Sequence, residues 1–300
     1  MATAPRVALV VLNWNAWDST RRCLDSATGL TYRPLDIYLV DNGSRDGSPD
    51  RVAASFPGVN LIRLPENLGY GGGMNAGIQK ALEEGGDHIL CLNNDMTLDP
   101  GFLEPLVEAV KDGTVPYPAL FQGEDHRLLD NAGNRLSYTG LTSLIAHGER
   151  DVPTSVMADY TELPFLPRRL LERIGAYKEE YFAFYEDVDL CLRIRDAGWD
   201  FRFVPASKIA HRRGSTTRRI PGLISYYSVR NRLLMIRDNG SGTRWLITAL
   251  HVLLLTLPSQ LLESLANPES KHSARHLLSG LRDGLLTWRR GVTRRWPVPA

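Results

Sequence analysis

The sequence is short of cysteine, and it lacks any apolar run long enough to span a bilayer. Its three cysteines, Cys23, Cys91 and Cys191, are odd in number, far apart and outside any C-x-x-C, which excludes a disulfide framework and argues against a zinc site. The longest apolar stretch, 245–257 (WLITALHVLLLTL), is about thirteen residues ended by Pro258, whereas a span needs roughly twenty. The opening, MATAPRVALVVLNWN, holds an apolar run too short for a secretory leader and no small-residue cleavage site, so it reads as a buried strand of a cytoplasmic protein. Internal repeats and low-complexity segments are absent. With 43% hydrophobic, 23% charged and 8% aromatic residues, collagen-like and disordered classes are excluded as well. A chain of 300 residues buries a sizeable core without staples.

The net charge of +1 hides a division. Residues 201–300 carry 17 Lys and Arg against 4 Asp and Glu, and the first 200 carry 18 against 30. This implies an acidic, metal-using body and a basic tail that faces an anionic partner. In the tail, Arg230, Arg232, Arg237 and Arg244 precede the apolar stretch. Arg282, Arg289, Arg290, Arg294 and Arg295 follow it, interleaved with Trp288 and Trp296. That pairing suits an anionic membrane surface. A buried helix and a second copy of the chain remain alternative partners for the stretch, and no nucleic-acid-binding motif accompanies it.

Short apolar runs alternate with helical patterns over the first hundred residues, the signature of a mostly parallel sheet with crossover helices. Strands are expected over 6–13, 36–40, 59–64 and 88–92, and helices over 19–27, 74–84 and 101–111. The pattern then weakens to about residue 158. It returns with helices over 168–174 and 188–196 and a strand over 201–204, and is helical from Pro221 onward.

Ligands of open parallel sheets bind at the carboxyl ends of the strands. Here those ends are polar: Asn13 and Asn15 after the first strand, Asp41 and Asn42 after the second, Glu66 and Asn67 after the third, and Asn93, Asn94 and Asp95 after the fourth. Each alone reads equally well as a turn or helix cap. Four on one edge supply amides and carboxylates for a base, a ribose and a metal. Gly71 to Ala76 spell G-x-G-x-x-A, formally a dinucleotide fingerprint. Its context disagrees, because two strands precede it and the first strand ends in Asn-Trp-Asn. The glycines instead let backbone approach a ligand closely at a helix start. Glu186, Asp187 and Asp189 open a helix beside Phe182, Phe184 and Tyr185, an apolar setting that raises carboxylate pKa values and favours a general base. His211, after a strand, is placed to join Asp95 on a divalent ion.

Together VVLNWN, VDNGSRDGS, ENLGYGGGMNAG, LNNDM and FYEDVDLCLR with a downstream His resemble the family 2 glycosyltransferases of the GT-A fold, in particular the branch that includes bacterial rhamnosyltransferases. The resemblance covers about residues 5 to 235. It implies an α/β fold, a GT-A core with a C-terminal helical extension, and inverting transfer of a sugar from a nucleotide diphosphate sugar with Mg²⁺ or Mn²⁺. By matching position, Asn13, Asn15, Asp41 and Asn42 hold the nucleotide, with Asn93 and Asn94 beside them. Asn67 and a loop from Gly71 to Asn75 approach ribose and phosphate. Asp95 and His211 bind the metal, Asp187 is the base, and Glu186 shapes its field.

The family's Asp-x-Asp reads Asn93-Asn94-Asp95 here, and its small-residue strand before the Glu-Asp helix is replaced by the stretch from Tyr160 to Arg169. The expected division is 1–100 for the nucleotide sugar, 101–220 for the acceptor and 221–300 as the basic helical extension. The expected donor is dTDP-L-rhamnose, then UDP- or GDP-sugars, and the acceptor a saccharide or polyprenyl-linked saccharide of cell-surface polysaccharide synthesis. A sugar nucleotidyltransferase is the main alternative, but it needs a Gly-rich loop with Arg or Lys where this chain has Asn13 to Trp17. An NAD-dependent enzyme and a non-catalytic module complete the set of rivals.

Overall fold

The computed structural model describes residues 4–212, 222–266 and 271–290. Its first half is a run of β1 (Val7–Asn13), α1 (Trp17–Thr28), β2 (Leu35–Asp41), α2 (Ser48–Ser55), β3 (Asn60–Arg63), α3 (Gly69–Glu83) and β4 (His88–Asn93). β1 shows why a parallel sheet forms. Val7, Leu9 and Val11 face one apolar core with α1, and Ala8 and Val10 face another with α3, so the strand is buried on both sides. The parallel register of β1 and β2 sets Asn13 opposite Asp41.

The second half holds β5 (Met96–Leu98), α4 (Leu103–Ala109), β6 (Thr114–Phe121), β7 (Leu129–Asn131), β8 (Asn134–Leu136), β9 (Thr142–Leu144), β10 (Leu166–Pro167), α5 (Arg168–Ile174), α6 (Glu186–Asp196) and β11 (Asp200–His211). The short β10 completes a five-stranded sheet ordered β10-β4-β1-β2-β3. A second sheet, β5-β11-β6-β7, stands beside it. There β5 runs antiparallel to β11, pairing Met96 with His211, which brings the chain after β4 to the end of β11. Four helices follow: α7 (Leu223–Asn239), α8 (Gly242–His251), α9 (Leu257–Ala266) after a π turn over Val252–Thr256, and α10 (Lys271–Arg290).

Three expectations need correction. The helix expected from residue 74 begins at Gly69, so Gly71 to Asn75 is helix and not loop. The glycines serve packing: a β-carbon on Gly77 would stand 2.9 Å from Val40 Cγ2, and Gly73 lies against Leu12 and Asn42. β6 falls in the stretch left unassigned, its strand character masked by Pro116 and Pro118. The Pro116 carbonyl accepts from Phe165 N on the side away from β11, so the missing N–H groups lie off the β11 ladder. The strand expected over 201–204 extends through a bulge between Val204 and Lys208 to His211, which therefore ends the strand instead of following it.

Candidate active site

Most polar side chains at the carboxyl edge of the large sheet bond to one another. Asn94 Nδ2 donates to Thr20 Oγ1 at 2.9 Å, and Thr20 Oγ1 donates to Asn13 Oδ1 at 2.7 Å. Asn13 Nδ2 in turn lies 2.9 Å from Asp41 Oδ1, 3.1 Å from Ser44 Oγ and 2.7 Å from Ser48 Oγ. Asp41 Oδ2 accepts from Ser44 N. A second knot joins Asn42 Nδ2 to Asn67 Oδ1 and the Gly69 carbonyl, while Asn42 Oδ1 accepts from Leu68 N and Asn67 Oδ1 from Gly69 N. These two asparagines thus cap α3, which has no side-chain cap at its own N-cap residue.

Asn13, Asp41, Asn42 and Asn94 are buried. Asn15 sits at the rim with a left-handed backbone, its Oδ1 accepting from Arg45 N, and Asn93 is half-buried. Gly71 and Asn75 turn elsewhere. Asn75 exchanges hydrogen bonds with the backbone of Tyr177, and Gly71 packs on the same residue, so both brace the segment before the acidic helix.

The second group lies where β5 and β11 meet. His211 Nε2 is 3.4 Å from Asp95 Oδ1 and its Nδ1 is 3.0 Å from Asp130 Oδ2, all three side chains nearly buried. Burial alone would lower the imidazole pKa, but the bonds to Asp130 and Asp95 raise it to about 9. Asp130 was not anticipated, because nothing in its Asn- and Gly-containing surroundings marks it before the fold brings β7 to β11. A divalent cation would have to displace the proton between Asp95 and His211, after which the carboxylate and the imidazole, its second nitrogen held by Asp130, would be two of its ligands and phosphate and water the others. Among the described residues no group of three or more such side chains is arranged as a complete metal site.

The third group is the loop before α6. Phe182, Phe184 and Tyr185 all have positive φ, at 62°, 67° and 68°. Such backbone persists in bulky residues only when the surroundings hold it. Here Tyr70 N donates to the Phe182 carbonyl at 2.6 Å from the α3 side. From α7, Asn231 Nδ2 lies within 2.7 to 2.8 Å of the carbonyls of Tyr181, Ala183 and Phe184, and Arg230 Nη2 donates to the Glu180 carbonyl. Phe182 stacks on Tyr227.

The loop ends in the acids. Glu186 is buried with its Oε2 lacking a hydrogen-bond partner, and Asp187 is half-buried with Oδ1 accepting from Val188 N. Desolvation raises both pKa values, aided at Glu186 by Asp187 and at Asp187 by Glu162. Glu162 also acts on His211, so the acids and the Asp95–His211 pair share one electrostatic neighbourhood. Asp189 differs. Burial pushes its pKa up, but Asn239, Arg193 and Lys178 outweigh that and hold it below the ordinary value, as a buried tie between α6, the preceding turn and α7.

Comparison with known proteins gives the same frame. Residues 8–154 match the family described as Glycosyl transferase family 2. The N-acetylglucosaminyl-diphospho-decaprenol L-rhamnosyltransferase of Mycobacterium tuberculosis is 26% identical over 262 residues, covering 78% of this chain and 85% of that protein. The dTDP-rhamnosyl transferase RfbF of Shigella flexneri is 24% identical over 267 residues, covering 86% and 87%. Among solved structures, GalNAc-T7 with UDP, GalNAc and Mn²⁺ aligns at a TM-score of 0.65 and 18% identity over 92% of this chain and 54% of its own. The Pyrobaculum calidifontis mannosyltransferase with GDP-Man and Mn²⁺ aligns at 0.54 and 14% identity over 95% and 87%. These two establish the GT-A fold.

Proposed function

We propose that this chain, which resembles the family 2 glycosyltransferases and among them the rhamnosyltransferases, moves a sugar, L-rhamnose from dTDP-L-rhamnose first among donors, onto a hydroxyl of a saccharide or polyprenyl-linked saccharide in cell-surface polysaccharide synthesis. UDP- and GDP-sugars are the alternative donors. The observation that carries the reading is the half-buried Asp187, proton-seeking through desolvation and sharing Glu162 as a neighbour with His211, which faces Asp95.

In the reaction, Asp187 takes the proton of the acceptor hydroxyl as its oxygen bonds to the anomeric carbon. The bond from that carbon to the β-phosphate oxygen breaks on the opposite face, and the nucleoside diphosphate leaves with the electron pair. Configuration inverts because there is one displacement. Glu162 adds to desolvation at Asp187 and so holds it ready for a proton, with Glu186 beside it as a second buried acid. Asp95 and His211 would hold Mg²⁺ or Mn²⁺, which would offset the charge of the departing diphosphate. Asp130 orients the imidazole for that purpose.

The nucleotide rests on the sheet edge. Asn15 and Asn93 reach it from the rim, and the bonded set Asn13, Asp41, Asn42, Asn67 and Asn94 fixes the surface beneath. Gly71 and Asn75 contribute by shaping the start of α3. Residues 1–100 then serve the donor, 101–220 the acceptor, and 221–300 form a basic extension that holds the enzyme at the cytoplasmic face of the membrane, as a lipid-linked acceptor requires.

The test is a thermal shift against dTDP, UDP, GDP and NAD⁺, each with and without Mn²⁺, since a ligand of the native state raises stability by mass action. A metal-dependent shift with one nucleoside diphosphate is expected, and a metal-independent shift with NAD⁺ alone overturns the reading. Asp187→Asn is expected to keep nucleotide affinity and lose at least about a hundredfold in kcat. Unchanged turnover would remove Asp187 from its role.

A further inference from the structure

The sequence left the apolar stretch 245–257 open between a buried helix and an interfacial one, and the structure shows one face of each kind. Thr248, Val252 and Leu257 are buried toward α7. Arg232 pins that inner face, approaching His251 Nδ1 at 3.2 Å and Thr256 Oγ1 at 3.4 Å while its Nε donates to the Thr139 carbonyl. On the outer face Leu246, Leu250, Leu253, Leu254, Leu255 and Leu262 are each between 46% and 67% exposed. The π turn puts three consecutive leucines on that face, because its wider turn sets successive residues closer in angle. No Asp, Glu, Lys or Arg occurs between Arg244 and Glu263. A contiguous exposed apolar surface of this extent is rare on a protein that meets only water.

The neighbouring α10 supplies the charge. Its buried side, with Leu277, Leu281, Gly280 and Gly284, lies against α7, the two glycines close to the Tyr226 carbonyl and to Leu233. On the other side, Arg275, Leu278, Arg282 and Leu285 follow one another at helical spacing and all are exposed. Leucine and arginine alternate along this stripe, and Arg282, 59% exposed, also holds the largely buried Asp283 at 2.8 Å.

We propose that the outer face of α8, the π turn and α9, flanked by the Arg–Leu stripe of α10, is an in-plane insertion surface for an anionic lipid bilayer. The partner follows from chemistry: the leucines enter the acyl boundary and Arg275 and Arg282 meet phosphate at the headgroups, the arrangement of an interfacial amphipathic helix. No helix among the described residues is long and apolar enough to cross a membrane, and the inner face is bonded to the domain. The surface deepens the glycosyltransferase reading, on which it rests only for its purpose of meeting a lipid-linked acceptor.

The experiment is co-sedimentation of the full chain with vesicles of phosphatidylcholine and phosphatidylglycerol in equal parts, and with phosphatidylcholine alone, at low and high salt. The chain is expected to favour the anionic vesicles. The triple variant Leu253→Gln, Leu254→Gln, Leu255→Gln is expected to lose at least tenfold in partitioning at both salt concentrations, with its thermal midpoint unchanged because the positions are exposed. The double variant Arg275→Glu, Arg282→Glu is expected to lose binding chiefly at low salt. Absence of vesicle binding, triple-variant binding equal to the parent, or a dimer that the triple variant dissociates without any lipid affinity would each overturn the proposal. Vesicle binding by a chain that shows no nucleoside diphosphate shift would keep this surface and remove the enzymatic reading. A normal nucleotide shift without vesicle binding would do the reverse.

Discussion

Glu186 carries a buried carboxylate whose Oε2 has no hydrogen-bond partner, and the stability of the protein should register it. Its pKa is raised in the folded state, first by desolvation and then by Asp187, so folding disfavours the ionised form. The penalty is absent well below the ordinary value of 4.5, grows as pH rises above it, and is complete above the raised folded value. Glu186→Gln should therefore raise the thermal midpoint by about 2 °C or more at pH 8, with the difference vanishing toward pH 4. Scanning calorimetry across that range checks it, and a variant less stable at pH 8 would show that the carboxylate is better accommodated than its surroundings indicate. The same raised pKa of the acid pair sets the acidic limb of kcat/KM near neutrality, with activity falling as pH drops and Asp187 takes up its proton.

At this scale the acids were legible in the sequence, because three carboxylates beside Phe and Tyr leave few local explanations. The asparagines were legible as a group but not individually. Asn13, Asn42 and Asn67 stand where the proposed nucleotide-facing edge requires polarity, yet their side chains are bonded within the protein, Asn13 to Asp41, Ser44 and Ser48 and Asn42 to Asn67. Thr20 and Ser48 complete the bonding of Asn13, and Asp130 holds His211, from positions that carry no signal of their own.

Among the elements, α7 has two tasks that its sequence does not announce. Arg230 and Arg232, which read as part of a basic surface, are buried at 1% and 2% exposure. With Asn231 between them they hold backbone carbonyls of the acid-bearing loop and of the 137–141 region. Helical spacing cannot separate an arginine that points outward from one that serves an inward carbonyl. Asn231→Ala should leave up to three carbonyls unmet and reduce stability by about 2 kcal/mol or more. It should also lower kcat at least about tenfold while nucleotide affinity stays within threefold of the parent, because Asn231 reaches the loop from α7 through carbonyls that no sheet-edge asparagine touches. Equilibrium denaturation and nucleotide titration measure the two effects separately, and unchanged kcat would reduce the contact to a packing role. The start of α3 was missed for a related reason. Four glycines near a helix N-terminus read as a flexible loop, whereas here their missing β-carbons let the helix lie on β1, β2 and the Phe182 loop.

For the whole molecule, the charge division was visible in the sequence and its meaning only in part. The basic half includes inward arginines and an apolar outer surface, so the tail does not act as a detachable basic patch. α10 closes over α7 through Gly280 and Gly284, and Leu233 and Val229 join its core. A truncation after Asn239 should uncover that side of α7 and yield a less stable, aggregation-prone chain, as the thermal midpoint and light scattering will show. A soluble, fully stable fragment would mean that α8 to α10 form a separate unit. Residues 291–300, with Arg294, Arg295 and Trp296, lie outside the described residues, as do the side chains of Trp288, Arg289 and Arg290. The parallel sheet was the most legible feature, because continuous apolar strands such as β1 admit little else. The second sheet was the least, because β6 carries two prolines and β11 is interrupted by a bulge.

The bonded relay from Asn94 through Thr20 and Asn13 to Asp41, Ser44 and Ser48 ties two selective pressures together. If the proposed nucleotide assignment holds, the geometry of that surface is set as the chain folds, so a change at Thr20 or Ser48, neither of which needs to touch a ligand, disturbs the native state and the affinity at once. Drift at those positions is then visible to selection on either ground, and such a surface should diverge more slowly among descendants than the leucines of the outer helices, where one apolar residue serves as well as another.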